Sequence, residues 1–221
     1  DRFGIKPLFY SFVDGTLLIA SEVKALAAAG LKLTWDEAAL GESLFANASS
    51  DRTIYAGVRQ LPPGCFLLAS ADGLRVQKYW DLDYPRLDGA VEMRSDTEWI
   101  EGTRERLVDA VRLRLRADVP VGCLLSGGLD SSAALGVARS LTPGTLKAFT
   151  ISFDEAAYDE AAKARETAAF TNAEFHPIRV TNDDFAAVFS DAVWHSEGFH
   201  YNAHGAARFI LSREVQRAGI K

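Results

Sequence analysis

The sequence is poor in several features, and each shortage excludes a class of protein. Its two cysteines, Cys65 and Cys123, are too few for a disulfide framework, so we expect a reducing, cytoplasmic location. No apolar stretch approaches the roughly 18 residues that a membrane helix needs, and no secretory signal is visible. With 24 Lys and Arg against 30 Asp and Glu, the net charge of −6 disfavours nucleic-acid binding.

The two ends of the sequence lack the features of a complete chain. There is no initiator methionine, and Met93 is the sole methionine. The segment Asp1–Pro7 is already rich in residue types that are typical of folded structure, and an apolar run begins at Gly219. We therefore expect a segment of a longer protein, cut at both ends.

The amino-acid composition and the length of the chain indicate a soluble globular protein with one large domain or two small ones. The 221 residues are 48% apolar and 24% charged. The first 80 residues predict mostly β structure. Turn residues Asp14-Gly15 predict a hairpin of Leu8–Val13 with Thr16–Ala20, and Ser70–Gly73 predicts a second one of Cys65–Ala69 with Leu74–Tyr79. Two short helices are predicted between them, over 21–29 and 34–46.

The hydrophobic period changes after an irregular segment, residues 81–94, that we interpret as a linker. Ser95 and Glu98 form a capping box, which predicts a long helix to about Ala117. The apolar run Val119–Leu125 predicts a strand buried on both faces of a parallel sheet. Further strands and helices alternate along the rest of the chain: strands 146–153 and 175–180, helices 131–140, 159–170, 183–195 and 203–218. This alternation predicts an α/β fold with a doubly wound parallel sheet.

The chemistry is expected in the Ser126–Ser132 loop, Ser-Gly-Gly-Leu-Asp-Ser-Ser, between a buried strand and a helix. The helix start offers unpaired N–H groups to an anion, and Gly127 and Gly128 permit positive φ and close approach. The serine hydroxyls add donors. Asp130 would repel phosphate unless a cation lies between, which suggests Mg²⁺. From the two glycines alone, an ordinary strand-to-helix turn is an equal alternative. The Walker and dinucleotide patterns are both absent.

The same string resembles the S-G-G-x-D-S loop of ATP pyrophosphatases, and the flanks narrow the resemblance. Asp1–Tyr10 and Ala20–Leu26 are similar to the end of a class II glutaminase domain, as are Leu61–Gly64 and Lys78–Leu82. Asp118–Leu125, leading into the loop, resembles the synthetase domain of glutamine-dependent asparagine synthetases. The resemblance covers nearly the whole chain in the expected order. It implies the end of an Ntn-type α+β glutaminase domain (1–80), the linker (81–94) and the start of a HUP-like pyrophosphatase domain (95–221).

The resemblance also implies a reaction. In that family an N-terminal cysteine releases ammonia from glutamine, and ATP activates the aspartate side chain as aspartyl-AMP. Ammonia then gives asparagine, AMP and pyrophosphate. The implied substrates are glutamine, ATP, and aspartate or another carboxylate; Mg²⁺ is the implied metal, and a homodimer is compatible with the family.

Individual residues carry over by position. The match implies that Asp1 binds the α-amine of glutamine and that Asp130 is a ligand of Mg²⁺. ATP-binding residues are implied at nine positions: Leu124, Ser126, Gly127, Gly128, Leu129, Asp130, Ser131, Ser132 and Ile151. For Leu124 and Ile151, plain strand core is the alternative interpretation. Glu197, His200, Asn202 and His204 form a polar cluster that could shape the acceptor pocket or be a solvated loop. The cysteines are expected to be inert.

Two alternatives stay open. A related enzyme, similar to β-lactam synthetases or lasso-peptide cyclases, would use another acceptor. A non-catalytic nucleotide-binding protein would keep the loop without turnover. The family's catalytic cysteine would precede Asp1 and its later S-G-E-G-x-D-E motif would follow Lys221, so we expect no confident catalytic residue within the chain and no activity from these 221 residues alone.

Overall fold

A computed structural model describes residues 1–44, 51–84, 93–153 and 159–220. These residues form two compact units. The first contains residues 1–84 together with Ser196–Phe199, and the second contains 93–195 and 200–220. Most of the predicted linker, residues 85–92, lies outside the described residues. Within the described residues, no helix combines the length and apolar composition needed to cross a membrane.

The first unit is built from two antiparallel sheets and two short helices. Strands β1 (Phe9–Val13), β2 (Thr16–Ala20) and β3 (Arg59–Gln60) pair in the order β2-β1-β3. Strands β4 (Cys65–Ser70) and β5 (Gly73–Lys78) form the second predicted hairpin. The helices are α1 (Val23–Ala28) and α2 (Glu37–Leu44). Both predicted hairpins and both predicted helices are therefore present, although the predicted end of α2 lies outside the described residues.

Local turn chemistry explains the first hairpin. Asp14 and Gly15 both have positive φ, 48° and 75°, which is the backbone of a turn whose twist matches that of the strands. The register that follows pairs Val13 with Thr16 and Phe9 with Ala20. A small core of Val23, Leu26 and Val58 packs beneath this sheet.

The second unit is a parallel sheet with helices on both faces. Its strands are β6 (Gly122–Leu124), β7 (Lys147–Phe153) and β8 (Glu174–Val180), in the order β6-β7-β8. Its helices are α3 (Asp96–Arg114), α4 (Leu129–Leu141), α5 (Ala161–Thr171), α6 (Asn182–Ser196) and α7 (His204–Arg217). The predicted capping box is present, because Ser95 accepts from the Glu98 N–H and Glu98 from the Ser95 N–H. The predicted α/β class is confirmed.

Two apolar clusters hold the helices to opposite faces of this sheet. One contains Leu125, Leu135 and Ala148, with half-buried Val111 and Phe175 against them, and joins α3, α4 and α5 to the sheet. The other contains Val180, Val188, Ala192, Ala206 and Ile210, and joins α6 and α7 to it. Because side chains alternate along a strand, β7 serves both clusters: Ala148 faces the first, and Ile151 and Phe153 face the second.

One prediction about β6 is wrong. The run Val119–Leu125 was expected to be buried on both faces, but Leu124 is 59% exposed and Val119 is 41% exposed. The strand is also shorter than predicted, because Pro120 has no N–H to donate to a ladder. Leu124 lies at the carboxyl end of β6, where the sheet edge opens into a cavity.

Candidate nucleotide site

The Ser126–Ser132 loop lies at the carboxyl edge of the parallel sheet, directly after β6. Leu124 pairs with Phe149 of β7, and the Leu125 N–H donates to the Phe149 carbonyl over 2.8 Å. Helix α4 then begins at Leu129, with Gly128 as its N-cap residue. This edge is where ligands bind in open α/β sheets, because the loops after the strands meet there.

The serine hydroxyls fold the loop on itself. The Ser131 Oγ accepts the Ser126 N–H over 3.2 Å and lies 2.9 Å from the Ser126 Oγ. The Ser126 Oγ in turn accepts the Gly128 N–H over 3.2 Å. The Ser132 Oγ donates to the Gly128 carbonyl over 2.9 Å. The N–H groups of Ser126, Gly128 and Ser132 are thus already paired within the loop, that of Ser132 with the Gly128 carbonyl over 3.2 Å.

The Gly127 N–H group is paired with a distant carboxylate. Gly127 donates to the Glu160 Oε2 over 3.1 Å, and Glu160 lies immediately before α5. The N–H groups of Ser126, Gly127 and Gly128 are therefore all paired in this structure. The N–H groups of the first turn of α4 lack a side-chain partner, because no side chain caps this helix.

Neither glycine of the loop has positive φ, and Gly127 is the one that is needed for space. Gly128 has φ −83°, and Gly127 is not among the residues with positive φ, so the expected left-handed backbone is absent. A Cβ on Gly127 would lie 3.0 Å from the Lys163 Cβ and 3.2 Å from the Glu160 Cβ. A Cβ on Gly128 would meet the Ser126 Oγ at 3.2 Å. The absent side chain at Gly127 is what lets α5 approach the loop.

An apolar cavity of about 350 Å³ adjoins the loop. Its size falls within the range of small-molecule pockets. Apolar walls come from the ends of β6 and β7 and from α7, and polar groups come from the loop and from Glu160. The lining residues are Leu124, Leu125, Ser126, Ser131, Phe149, Thr150, Ile151, Phe153, Glu160 and Leu211.

The structure brings some of the predicted ATP-binding residues into this cavity and leaves others beside it. Leu124, Ser126, Ser131 and Ile151 line it. The remaining five belong to the same loop but do not line the cavity: Gly127, Gly128, the exposed Leu129 and Asp130 on the first turn of α4, and half-buried Ser132 with its Oγ 3.4 Å from the Thr167 Oγ1.

Sequence reasoning missed the remaining walls of the cavity. Phe149 and Phe153 share one face of β7 with Ile151, and this period of two was a usable signal. Leu211 and Glu160 gave no such signal. They are distant in the sequence and reach the cavity only because α7 and α5 pack on the sheet.

Asp130 could contribute to a magnesium site but could not form one alone. Its carboxylate is exposed in the first turn of α4, beside the open N–H donors. Among the described residues, no group of three His, Cys, Asp or Glu side chains could hold a metal ion. Mg²⁺ commonly takes one or two protein carboxylates and completes its shell with phosphate oxygens and water. The residues therefore fit a metal that arrives with a phosphate ligand.

The predicted glutamine-binding residue, Asp1, organises its own loop. Its Oδ1 accepts the N–H groups of Phe3 and Ile5 over 3.0 and 3.2 Å, and its Oδ2 accepts that of Lys6 over 3.0 Å. A carboxylate has about four acceptor positions. Three are filled, and one stays available to an ammonium group.

Two residues of the predicted polar cluster, Glu197 and Asn202, accept backbone N–H groups. Glu197 belongs to the first unit, where its carboxylate accepts the N–H groups of Val23 and Lys24, each over 2.6 Å. In the second unit, Asn202 accepts the His204 N–H over 3.0 Å. Glu197 is thus committed to the start of α1. Burial raises the pKa of the Cys123 thiol, in keeping with the expected inert cysteine.

Comparison with known proteins identifies both halves of the chain. The profile of the asparagine synthase family matches residues 102–221, and that of a glutamine amidotransferase domain matches residues 1–80. Among solved structures, an NH3-dependent NAD synthetase from Campylobacter jejuni shares 14% identity, with coverage of 54% of this chain and 53% of that one. The TM-score of this pair is 0.37.

Curated relatives cover the chain from end to end. Amidase chyE of Penicillium rubens is 39% identical over 100% of this chain and 35% of its own length. Amidase chry2 of Gibberella zeae is 37% identical, with the same coverage. Asparagine synthetase 1 of Bacillus subtilis is 31% identical over 98% of this chain and 34% of its own. The chain spans about a third of the length of these relatives. It belongs to the asparagine synthase family.

Proposed function

We propose that this chain is part of a glutamine-dependent ligase that activates a carboxylate with ATP, with aspartate as acceptor and asparagine as product. The observation that carries the proposal is the apolar cavity of about 350 Å³ beside the Ser126–Ser132 loop at the carboxyl edge of a parallel sheet. The cavity suits adenosine, and the start of α4 suits phosphates. Residues 1–80, 81–94 and 95–221 are assigned to the glutaminase part, the linker and the synthetase part, which the two family matches support.

ATP binding follows from the cavity and the loop. Adenine and ribose would lie against Leu124 and Ile151, with Phe149 as a further wall. The phosphates would accept from the N–H groups of Leu129, Asp130 and Ser131 and from hydroxyls of the loop. Mg²⁺, when bound, would reduce the repulsion between phosphate and carboxylate, with Asp130 as one ligand.

The reaction assigned to this site has two steps. An oxygen of the acceptor carboxylate attacks the α-phosphorus, and the bond to pyrophosphate breaks. Ammonia then attacks the acyl carbon, and AMP leaves with the bonding electrons. The N–H donors at the start of α4 would stabilise the negative charge of the departing pyrophosphate, because the helix end carries partial positive charge.

Glutamine would bind in the first unit. The free acceptor position of Asp1 is proposed to hold the α-amine of glutamine, within a loop that the same carboxylate keeps folded. A cytoplasmic location is proposed from the cysteines, both of which are free thiols. The homodimer stays a prediction.

The adenylation step is tested by aspartate-dependent exchange of pyrophosphate into ATP by the intact protein. Asp130→Asn should lower the exchange rate by about 100-fold or more, because the carboxylate that would bind Mg²⁺ is lost. Asp183→Asn is a matched control, since Asp183 also lies exposed in the first turn of a helix, α6. Equal exchange rates in wild type and Asp130→Asn would contradict the role of Asp130.

A second candidate is a ligase of the same class with another acceptor. The observation that favours it is the identity of 39% and 37% to proteins named amidases, against 31% to an asparagine synthetase. Exchange measured with aspartate and with a series of other carboxylates separates the two candidates. ATP binding without exchange for any carboxylate would instead indicate the non-catalytic alternative.

A further inference from the structure

We propose that Glu160 is an internal anion that occupies the Ser126–Ser132 loop before nucleotide binds, and that pyrophosphate must displace it. The proposal rests on the proposed function, because it assumes that the loop binds the phosphates of ATP. It assigns a role in nucleotide affinity to a residue outside the loop motif.

The first argument is the direction of the Glu160 side chain. Glu160 is the N-cap residue of α5, a position where a side-chain oxygen usually accepts an N–H of its own helix. Its carboxylate makes no such bond. The neighbouring Asp159 does, because its Oδ1 accepts the Ala161 N–H over 3.3 Å. Glu160 is therefore released from capping, and its Oε2 accepts the Gly127 N–H over 3.1 Å.

The second argument is the location of this contact. Glu160 lines the same cavity as Ser126 and Ser131, so its carboxylate lies where nucleotide is proposed to bind. A backbone N–H after a parallel strand is the kind of donor that phosphate accepts from. A carboxylate and a pyrophosphate oxygen cannot both take one N–H without strong repulsion. The bound carboxylate and the bound pyrophosphate are therefore alternatives.

The third argument is that a second partner for Glu160 lies nearby. Lys163 is three residues further along the chain, at the spacing at which oppositely charged side chains meet on a helix. The Lys163 side chain already packs against Gly127, as the 3.0 Å approach of its Cβ to an added Cβ there shows. Once pyrophosphate takes the Gly127 N–H, Glu160 can turn to Lys163. The Glu160 carboxylate would thus have two positions, one on the Gly127 N–H and one on Lys163, and ligand binding would favour the second.

The proposal predicts that removal of Glu160 increases affinity. Titration calorimetry of the intact protein with inorganic pyrophosphate measures this, first in EDTA, without any contribution from a metal, and then with Mg²⁺. Glu160→Ala should bind pyrophosphate about 3- to 10-fold more tightly than wild type, because the binding-competent fraction rises toward one. Glu160→Gln keeps an acceptor for the Gly127 N–H without the charge, so its affinity should lie between the two. Glu166→Ala removes an exposed carboxylate of the same helix and should bind as wild type does.

The sign of the effect separates this role from a structural one. If Glu160 merely supported the loop, Glu160→Ala would bind pyrophosphate equally or more weakly, and that result would overturn the proposal. Equal gains in Glu160→Ala and Glu160→Gln would show charge repulsion without occupation of the N–H, and would overturn it too. Binding by wild type with no gain in Glu160→Ala leaves the nucleotide site standing. Absence of binding in every variant, both in EDTA and with Mg²⁺, with circular dichroism showing each one folded, overturns the nucleotide site and this proposal together.

Discussion

The Asp1–Pro7 loop and the Ser126–Ser132 loop both rely on a carboxylate that accepts backbone N–H groups, yet they differ in where it comes from. In the first loop, Asp1 accepts three N–H groups from residues two to five positions away. In the second, Glu160 accepts one N–H from a residue 33 positions away. A loop tied by its own carboxylate is organised locally. A loop whose N–H is held by a carboxylate of another element depends on how the two elements pack. Its one hydrogen bond to that carboxylate can be replaced by a hydrogen bond to a ligand.

Among tests of this difference between the two loops, a substitution at Gly127 should have the largest effect. Gly127→Ala places a Cβ 3.0 Å from the Lys163 Cβ, so the first turn of α5 must move away. We expect a loss of about 1–3 kcal/mol in the free energy of unfolding, as for other overpacked sites. Pyrophosphate binding should weaken as well, because the loop distorts. Urea unfolding and calorimetry measure the two effects.

Gly128→Ala is the matched control for that variant. Its φ of −83° suits alanine, and the nearest atom to its Cβ is the end of the Ser126 side chain. A smaller effect than that of Gly127→Ala is expected. Equal destabilisation by the two variants would show that the approach of α5 to Gly127 is unimportant.

The Asp1–Pro7 loop should respond to a change at Gly4 through backbone conformation. Gly4 has φ +65°, and an added Cβ would lie 2.9 Å from the Pro63 Cγ. Gly4→Ala should therefore destabilise the first unit by about 1–3 kcal/mol. Urea unfolding followed by fluorescence measures it. Because the hydrogen bonds of this loop are local, pyrophosphate binding at the Ser126–Ser132 loop should not change. A loss of pyrophosphate affinity in Gly4→Ala would contradict the difference between the two loops.

A smaller effect is expected from local carboxylates when the pH falls. In the first unit, the Ala39 N–H and then Arg52 hold the pKa of Asp36 below its ordinary value. In the second, the Thr181 hydroxyl and then the Thr181 N–H do the same for Asp184. A carboxyl whose pKa is lowered by folding stabilises the fold above its unfolded pKa, and this contribution disappears as the pH falls through the folded pKa.

Asp36→Asn and Asp184→Asn should therefore be less stable than wild type at pH 6, and the difference should shrink at pH 3. Urea unfolding at both pH values checks this. A difference that stays constant with pH would mean that the negative charge of Asp36 and Asp184 is not what stabilises the fold at these two positions.

The smallest effect concerns the thiol in β6. Because burial raises the pKa of Cys123, its thiolate population is low in the folded state. Alkylation of Cys123 by iodoacetamide at pH 8 should be at least about 10-fold slower in the folded chain than in urea. Mass spectrometry of the modified peptide measures the rate. Equal rates would show that β6 does not protect the thiol.

The sequence predicts features that neighbouring residues decide. Asp14-Gly15 predicts its hairpin because both residues tolerate positive φ, and Ser95 with Glu98 predicts the start of α3 because each caps the other. The order of strand, loop and helix around Ser126–Ser132 was predictable for the same reason.

Features decided by packing were not predictable. An apolar run cannot show that Leu124 faces a cavity, because that depends on where α7 places Leu211. The Glu160 contact depends on the distance between α5 and the loop, which no local pattern encodes. The same limit applies to Glu197, whose hydrogen bonds to the start of α1 join residues more than 170 positions apart.

Gly122 at the start of β6 has a consequence for how this sequence can vary. A Cβ there would lie 2.6 Å from the Ile220 Cδ1 and 3.1 Å from the Phe149 Cε2, so the three positions share one fixed volume. A larger residue at 122 requires the Ile220 side chain to move, or a smaller residue at 220 or 149. We expect these positions to co-vary among homologues, and Gly122→Ala to be rescued by Ile220→Ala. Evolution at this edge of the sheet is thus constrained in sets of residues rather than one residue at a time.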